Sequence, residues 1–231
     1  MKISYFKGLF KKVNLKFLSS ENIENDYYEI KFEKPKNFNW IAGEHAIFSI
    51  PSKKFQGKKW RAFSIASSPK EENIIIGTRT GVNPSNFKRT MIELEKGDLV
   101  KMRGPFGWFV SRDENSPLVM IALGVGITPI RSLLMDNLIS DRILNVIYSS
   151  HNTYLFEKEL VEAAASPNAE ITFTRDIKDT KSEILKAIET YHNDAYYYIG
   201  GNPLAIKSIT KILRKNKIKR KKIIHDPFYG Y

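Results

Sequence analysis

The 231-residue chain contains no cysteine. That excludes disulfides, thiolate nucleophiles, cysteine-ligated iron–sulfur clusters and cysteine zinc sites. Any electron chemistry therefore needs a bound organic cofactor or a separate partner. Histidine is scarce too: His45, His151, His192 and His225 are scattered without metal-ligand spacing, so no metal is expected. Long apolar runs are missing. The N-terminal MKISYFKGLFKK has no sustained apolar stretch, and the most apolar segment elsewhere is too short and glycine-rich to span a bilayer. No membrane span and a cytoplasmic location are expected. Acidic residues are in deficit, 25 against 37 basic, leaving a net charge of +12. The lysines concentrate at residues 53–59, KKFQGKK, and residues 214–222, RKNKIKRKK. A basic face can steer an acidic protein or bind nucleic acid or anionic lipid. No nucleic-acid-binding signature accompanies the charge, so an acidic protein is the preferred partner.

The first half reads as β-structure. Val13, Leu15 and Phe17 alternate with polar residues, as do Tyr28, Ile30 and Phe32. Further strands are predicted at 46–50, 61–66, 73–80 and 99–102, with turn residues between them. One short helix interrupts, capped by Ser85 and with Phe87, Met91 and Leu94 on one face. Six short strands in about a hundred residues suggest a small closed barrel. The polar segment 111–116, SRDENS, marks a domain boundary, dividing the chain into residues 1–112 and 113–231. Beyond it, strands near 118–123, 143–148, 170–174, 195–199 and 223–225 alternate with four helices. One helix starts near Thr153 with Phe156, Leu160 and Ala164 on a face. The next is expected to open on a capping box, Thr180 with Glu183, and to bury Ile184, Leu185 and Ile188. The last starts at Asn202-Pro203 and buries Ile206, Ile209 and Leu213. Such alternation means a parallel sheet with helices on both faces and ligands at the C-terminal strand ends.

Residues 121–134, IALGVGITPIRSLL, are the centre of this second half. An apolar strand enters the glycine turn Gly124-Val125-Gly126, and a helix follows at once, with Thr128 expected as N-cap and Pro129 at its first position. Glycines let a backbone approach a pyrophosphate, and free helix N–H groups point at it. In the first half, Arg61-Ala62-Phe63-Ser64-Ile65-Ala66-Ser67 brings a fixed cation, an aromatic ring and a hydroxyl together on one strand, with Arg61 and Phe63 pointing the same way.

RAFSIAS resembles the Arg-x-Tyr-Ser flavin motif of the ferredoxin–NADP reductase superfamily. The resemblance extends over nearly the whole chain and in the family's order. Gly43 and Glu44 stand like the family's Ala-Gly-Gln turn. Pro84-Ser85-Asn86-Phe87-Lys88 resembles the second flavin segment, and Gly97-Asp98 with Gly104-Pro105-Phe106-Gly107-Trp108-Phe109 the closing strand of the barrel. Gly124-Val125-Gly126-Ile127-Thr128-Pro129 is similar to the nicotinamide-dinucleotide turn, and Gly200-Gly201-Asn202-Pro203 to the late Cys-Gly-x-Pro turn. The ending Asp226-Pro227-Phe228-Tyr229-Gly230-Tyr231 is similar to one that places an aromatic against the flavin.

The resemblance implies an antiparallel Greek-key β-barrel that binds FAD, followed by an α/β parallel-sheet domain that binds NADPH or NADH. It implies that Arg61 binds the flavin pyrophosphate, that Phe63 packs on the isoalloxazine, and that Ser64 hydrogen-bonds near N5, the atom that receives hydride. Ser85 and Asn86 would hold phosphates. Gly124, Gly126 and Thr128 would hold the nicotinamide dinucleotide, and Gly201, Asn202 and Pro203 would line its nicotinamide end. Phe228, or Tyr229 or Tyr231, would cover the other flavin face. Ser64 and Phe228 are then the groups nearest the chemistry. Phe63 replaces the family's tyrosine and loses its hydroxyl; Gly200 stands where many members carry cysteine. Arg175, in Thr174-Arg175-Asp176, lies where NADP-using relatives place a 2′-phosphate arginine, with Ser149, Ser150 and Lys181 in support, which favours NADPH over a loop arginine paired with Asp176 or Asp179. The implied acceptor is ferredoxin or flavodoxin. Ferric iron, free flavin or an oxygenase component are alternatives, and a non-catalytic partner-binding protein of the same fold is another, against which the intact Arg61, Ser64, Gly124, Gly126 and Thr128 argue.

Overall fold

The computed structural model describes residues 8–227. Six strands form an antiparallel sheet: β1 (Lys12–Glu24), β2 (Tyr27–Glu33), β3 (His45–Ser49), β4 (Trp60–Ser64), β5 (Asn73–Arg79) and β6 (Leu99–Phe106), in the order β4-β3-β6-β1-β2-β5. The insertion of β6 between β3 and β1 is the Greek-key crossover. The sheet curls around one core that includes Leu15, Phe17, Ile30, Phe32, Phe48 and Phe63. Helix α1 (Asn86–Ile92) plugs this core with Phe87 and Met91, and Ser85 caps it by accepting from the Lys88 N–H. The expected strands and the expected cap are thus present.

The second half is a parallel sheet, β7 (Leu118–Leu123), β8 (Leu144–Ser149), β9 (Ala169–Thr174), β10 (Tyr196–Gly201) and β11 (Ile223–Pro227), in the order β11-β10-β7-β8-β9. Alternate residues of β7 serve two cores. Leu118, Met120 and Ala122 join one that holds α2 (Ile127–Asn137) and α3 (Glu157–Ala163). Val119 and Ile121 join the other, against α4 (Ile177–Tyr191) and α5 (Pro203–Lys215). That is the period-2 pattern of a strand covered on both faces.

Expectations change locally in three helices. Helix α2 begins at Ile127, not after Thr128. Its first turn continues a single 3-10 turn at Gly124–Gly126, and Thr128 donates its hydroxyl back to the Val125 carbonyl at 3.0 Å. Helix α4 is capped by Asp176, which accepts from the Asp179 N–H, so Thr180 lies inside the helix and the Thr180–Glu183 capping box is not formed. Leu185 is 39% exposed, because the buried stripe of α4 runs through Ile184, Ala187 and Ile188 and Leu185 lies to one side of it. Helix α3 begins later than Thr153, after Phe156 at φ 65°, and buries Ala163 rather than Ala164.

The two sheets are joined by a polar seam centred on α2. Arg131 is 3% exposed. It donates to Glu71 (2.9 Å) and to the Ala66 carbonyl (2.9 Å) on the barrel side, and to Glu159 of α3 (2.6 Å). Ser132 donates to the Ser67 carbonyl at 2.7 Å, and Asp136 receives Ser68 and Lys70. Tyr27, Ala42, Ala66, Ile75 and Phe109 from the barrel half complete the apolar core beneath α2. Breaking a buried ion pair strands its partners. Both glutamates keep about a third of their surface in water, which lowers the cost. Arg131→Met is expected to lower unfolding free energy by about 2–3 kcal/mol, read by denaturant titration.

Candidate functional site

At the C-terminal ends of the parallel strands lies a cleft of about 880 Å³. Its lining comes from both halves. The α/β half supplies Leu123, Gly124 and Val125 from the end of β7, Ser149 to Asn152 from the end of β8, Ile177, and Asn202 with Ala205 after β10; the barrel half supplies Asn25, Asp26, Tyr27, Arg79 and Val82. This is where an open parallel sheet binds ligands. Gly124 has φ 54°, and the nearest group to a side chain there would be the Tyr27 hydroxyl, at 3.7 Å. Its backbone therefore faces the cleft without obstruction.

Gly126 has a packing part as well as the one expected of it. A Cβ there would lie 2.1 Å from the Gly200 carbonyl carbon and oxygen, so the turn and β10 touch backbone to backbone. The glycine is needed for this packing. Thr128 is 1% exposed, and its methyl group lies in the seam against Gly77 of β5. Gly201 is buried at the end of β10, Asn202 caps α5 by accepting from the Ala205 N–H at 2.9 Å, and Pro203 occupies the first helical turn. Gly126→Ala is expected to cost about 1–3 kcal/mol through overpacking, with a matching drop in thermal midpoint.

Arg61 and Phe63 do point the same way, towards α1. The Arg61 guanidinium lies 5.8 Å over the Phe87 ring. Phe63 is 6% exposed, edge-to-face with Phe48 at 5.7 Å and stacked on Phe87 at 6.3 Å. A flavin ring could touch Phe63 only where those rings leave it uncovered. Lys88 stands next to Phe87, donates to the Arg79 carbonyl, and has its pKa lowered by burial and by the nearby Arg61 charge. Arg79 is neutralised by Asp26 (2.9 Å), but among the described residues neither Arg61 nor Lys88 has a carboxylate partner. Asp26 acts on Lys88 only at a distance, and two cations gathered with no carboxylate in contact suit a diphosphate. Asn86 is exposed and donates to the Gln56 carbonyl, which ties the 53–59 loop to this spot.

Ser64 ends β4, is 2% exposed, and donates to the carboxylate of Asp226 at 3.0 Å. Asp226 is 5% exposed on β11, and burial pushes its pKa up to about 6 against the opposing hydrogen bond from Ser64. Sequence reading did not single out Asp226 or Arg79, because each becomes notable only through a neighbour distant in the chain. Phe228 and Tyr231, with Tyr229, lie outside the described residues. Arg175 is exposed after β9, beside the Tyr154 hydroxyl, and has no carboxylate partner among the described residues. Asp176 is occupied as a helix cap. Ser149 accepts from Thr180, and Ser150 donates to the Thr153 carbonyl.

No protein-family model matches the chain. Among curated proteins it is 26% identical over 228 residues to a component of the Na(+)-translocating NADH-quinone reductase of Neisseria gonorrhoeae, covering 86% of this chain and 56% of that one. It is 29% identical over 132 residues to dual oxidase 1 of Caenorhabditis elegans, covering 53% and 9%. The chain spans about half the length of the NADH-quinone reductase components it matches. Among solved structures, ferredoxin-NADP+ reductase of Plasmodium falciparum with 2'P-AMP aligns at a TM-score of 0.76 and 18% identity, over 96% of this chain and 99% of that one. The chain has the ferredoxin–NADP reductase fold. Flavohemoglobin of Malassezia yamatoensis, with bound FAD and heme, aligns at 0.76 and 20% identity over 94% and 60%. Among the described residues, no helix of this chain is long and apolar enough to cross a membrane, and no cluster of side chains suits a metal ion.

A raised carboxylate pKa means that ionisation costs folding energy, and the cost appears as pH rises from the unfolded value near 4 to the folded value near 6. Asp226→Asn is therefore expected to match the native protein at pH 4 and to exceed its stability by about 2–3 kcal/mol above pH 7, read by unfolding at both pH values.

Proposed function

We propose that this protein is a flavoprotein reductase that takes hydride from NADPH onto bound FAD and passes electrons to a separate acidic acceptor, ferredoxin or flavodoxin, in the cytoplasm. The observation that carries the reading is the pair of cations, Arg61 and Lys88, that have no carboxylate in contact among the described residues, beside the flavin-type strand that ends in Ser64. Residues 1–112 would hold the flavin and residues 113–231 the dinucleotide. The fold and the names of the relatives support the same assignment.

When bound, the flavin would supply hydride acceptance and one-electron release. The chain's own residues do the positioning. Arg61 and Lys88 would hold the diphosphate, with Ser85 and Asn86 beside them. Ser64 would offer its hydroxyl at the reacting edge, and the Asp226 carboxyl fixes that hydroxyl's orientation. Gly124 would let the dinucleotide approach the turn and Arg79 would face it across the cleft, both lining it with Asn202, and Gly201, Asn202 and Pro203 would border its nicotinamide end. Phe228 and Tyr231 are proposed to shield the flavin. Arg175, exposed and without a carboxylate partner among the described residues, is proposed to take a 2′-phosphate, which favours NADPH. The 53–59 loop packs on Phe87 through Phe55, and it is proposed to receive the acidic acceptor.

Visible absorption tests this. The protein is expected to take up FAD, and the flavin spectrum to bleach anaerobically faster with NADPH than with NADH. Arg61→Met and Lys88→Met are each expected to weaken FAD binding by roughly tenfold or more while leaving riboflavin binding nearly unchanged. A protein that takes up no FAD would refute the proposal.

A further inference from the structure

One end of the molecule carries charge that neither cofactor would use. Nine of the 23 residues 203–225 are Lys or Arg and none is Asp or Glu, so a tenth of the chain supplies charge equal to three quarters of the net +12. Outside this segment basic residues are interspersed with acids and some pair with them, as in Lys16–Glu33, Lys53–Asp98 and Lys186–Glu183. None of these nine has a carboxylate partner among the described residues, and all but Lys222 are exposed.

Their placement is specific. Lys207, Lys211, Arg214 and Lys215 run along the solvent side of α5, opposite the buried Ile206, Ile209 and Leu213. The helix leads into Lys217, at φ 64°, and then into a single 3-10 turn, Arg220–Lys222. Three residues per turn send those three cations in three directions. The result is an exposed basic knob at the N-terminal end of the sheet, where β11 begins. Asn202 and Ala205, at the other end of α5, line the cleft. The 13 residues of α5 separate knob from cleft by about 20 Å.

This geometry selects the partner. An electron acceptor docked on the knob would face away from the cleft. A nucleic-acid strand wants a groove with free aromatic rings for its bases, whereas the Tyr196 ring beside the knob is covered by the Lys222 ammonium at 3.9 Å. An exposed cluster of cations without carboxylate partners fits a broad, delocalised negative surface. We propose that the knob formed by α5 and the Arg220–Lys222 turn docks this protein on anionic lipid membranes, with the cleft turned away from the bilayer. This goes beyond the reductase reading and does not depend on it.

The test is co-sedimentation of the full chain with phosphatidylcholine vesicles, with and without about a third phosphatidylglycerol. Binding is expected only to the anionic vesicles, and it should be released at about 1 M salt. The triple variant Lys219→Gln, Arg220→Gln, Lys221→Gln should lose at least about tenfold in affinity. The charge-matched variant Lys54→Gln, Lys58→Gln, Lys59→Gln should lose little. Equal losses from the two variants, equal binding to both vesicle types, or persistence at high salt would overturn the proposal. So would tighter binding to a DNA duplex than to the anionic vesicles, which would assign the knob to nucleic acid. Because the salt response is read on the native chain, the outcome does not hinge on the folding of a variant.

Discussion

The Arg131 guanidinium is the point on which the two halves of this molecule agree. It is buried, it must keep its charge, and it meets carboxylates from both halves: Glu71 beside the barrel and Glu159 on α3. Burying a cation is tolerable only when its donors are satisfied. Once they are, the partners lose their freedom to drift. One bond goes to the Ala66 carbonyl, two residues beyond Ser64, and the neighbouring Ser132 holds the Ser67 carbonyl. The helix that follows the glycine turn therefore sets the position of the strand end carrying the Ser64 hydroxyl. The two proposed cofactor surfaces share one frame because a single helix grips both.

The electrostatics divide the molecule in a similar way. Around the cleft, charges are either matched, as in Arg79 with Asp26, or conspicuously unmatched, as in Arg61 and Lys88. At the far end of α5 they are unmatched over a much larger exposed area. The two cases differ in solvation. Lys88 is partly buried and feels Arg61 through the protein, so its free charge is costly and a compact anion relieves it. The knob cations are hydrated, and only a surface offering many negative charges at once compensates for the counter-ions it displaces.

Much of the fold was legible because it rests on periodicity. The alternation in β1 and β2 and the apolar run of β7 are sequence-local signals of burial on one face or two. Asn202-Pro203 and Ser85 also announced their helices, since a cap is chemistry between near neighbours. Thr128 and Thr180 misled for the same reason in reverse. Each looks like a cap, but Thr128 is drawn into the seam by Gly77, and Asp176 reaches the end of α4 first. The site was half legible. Arg61, Ser64 and Gly124 stand in recognisable surroundings, whereas Asp226, Arg79 and the lysine at 88 gain their meaning from partners up to 162 residues away, a relation that no local window contains.

The meeting of Gly126 with Gly200 has a consequence for how this sequence can vary. At an open turn such as Gly57, where nothing stands within 4 Å of a built Cβ, the requirement is one of backbone angle, and asparagine is a serviceable substitute. At the crossing, both partners are already the smallest residue available, and each obstructs the other with backbone atoms. No second substitution can make room for a first, because there is nothing left to shorten. Drift at these two positions is therefore closed in both directions, and the distance between the dinucleotide turn and the end of β10 is among the least negotiable dimensions of the molecule.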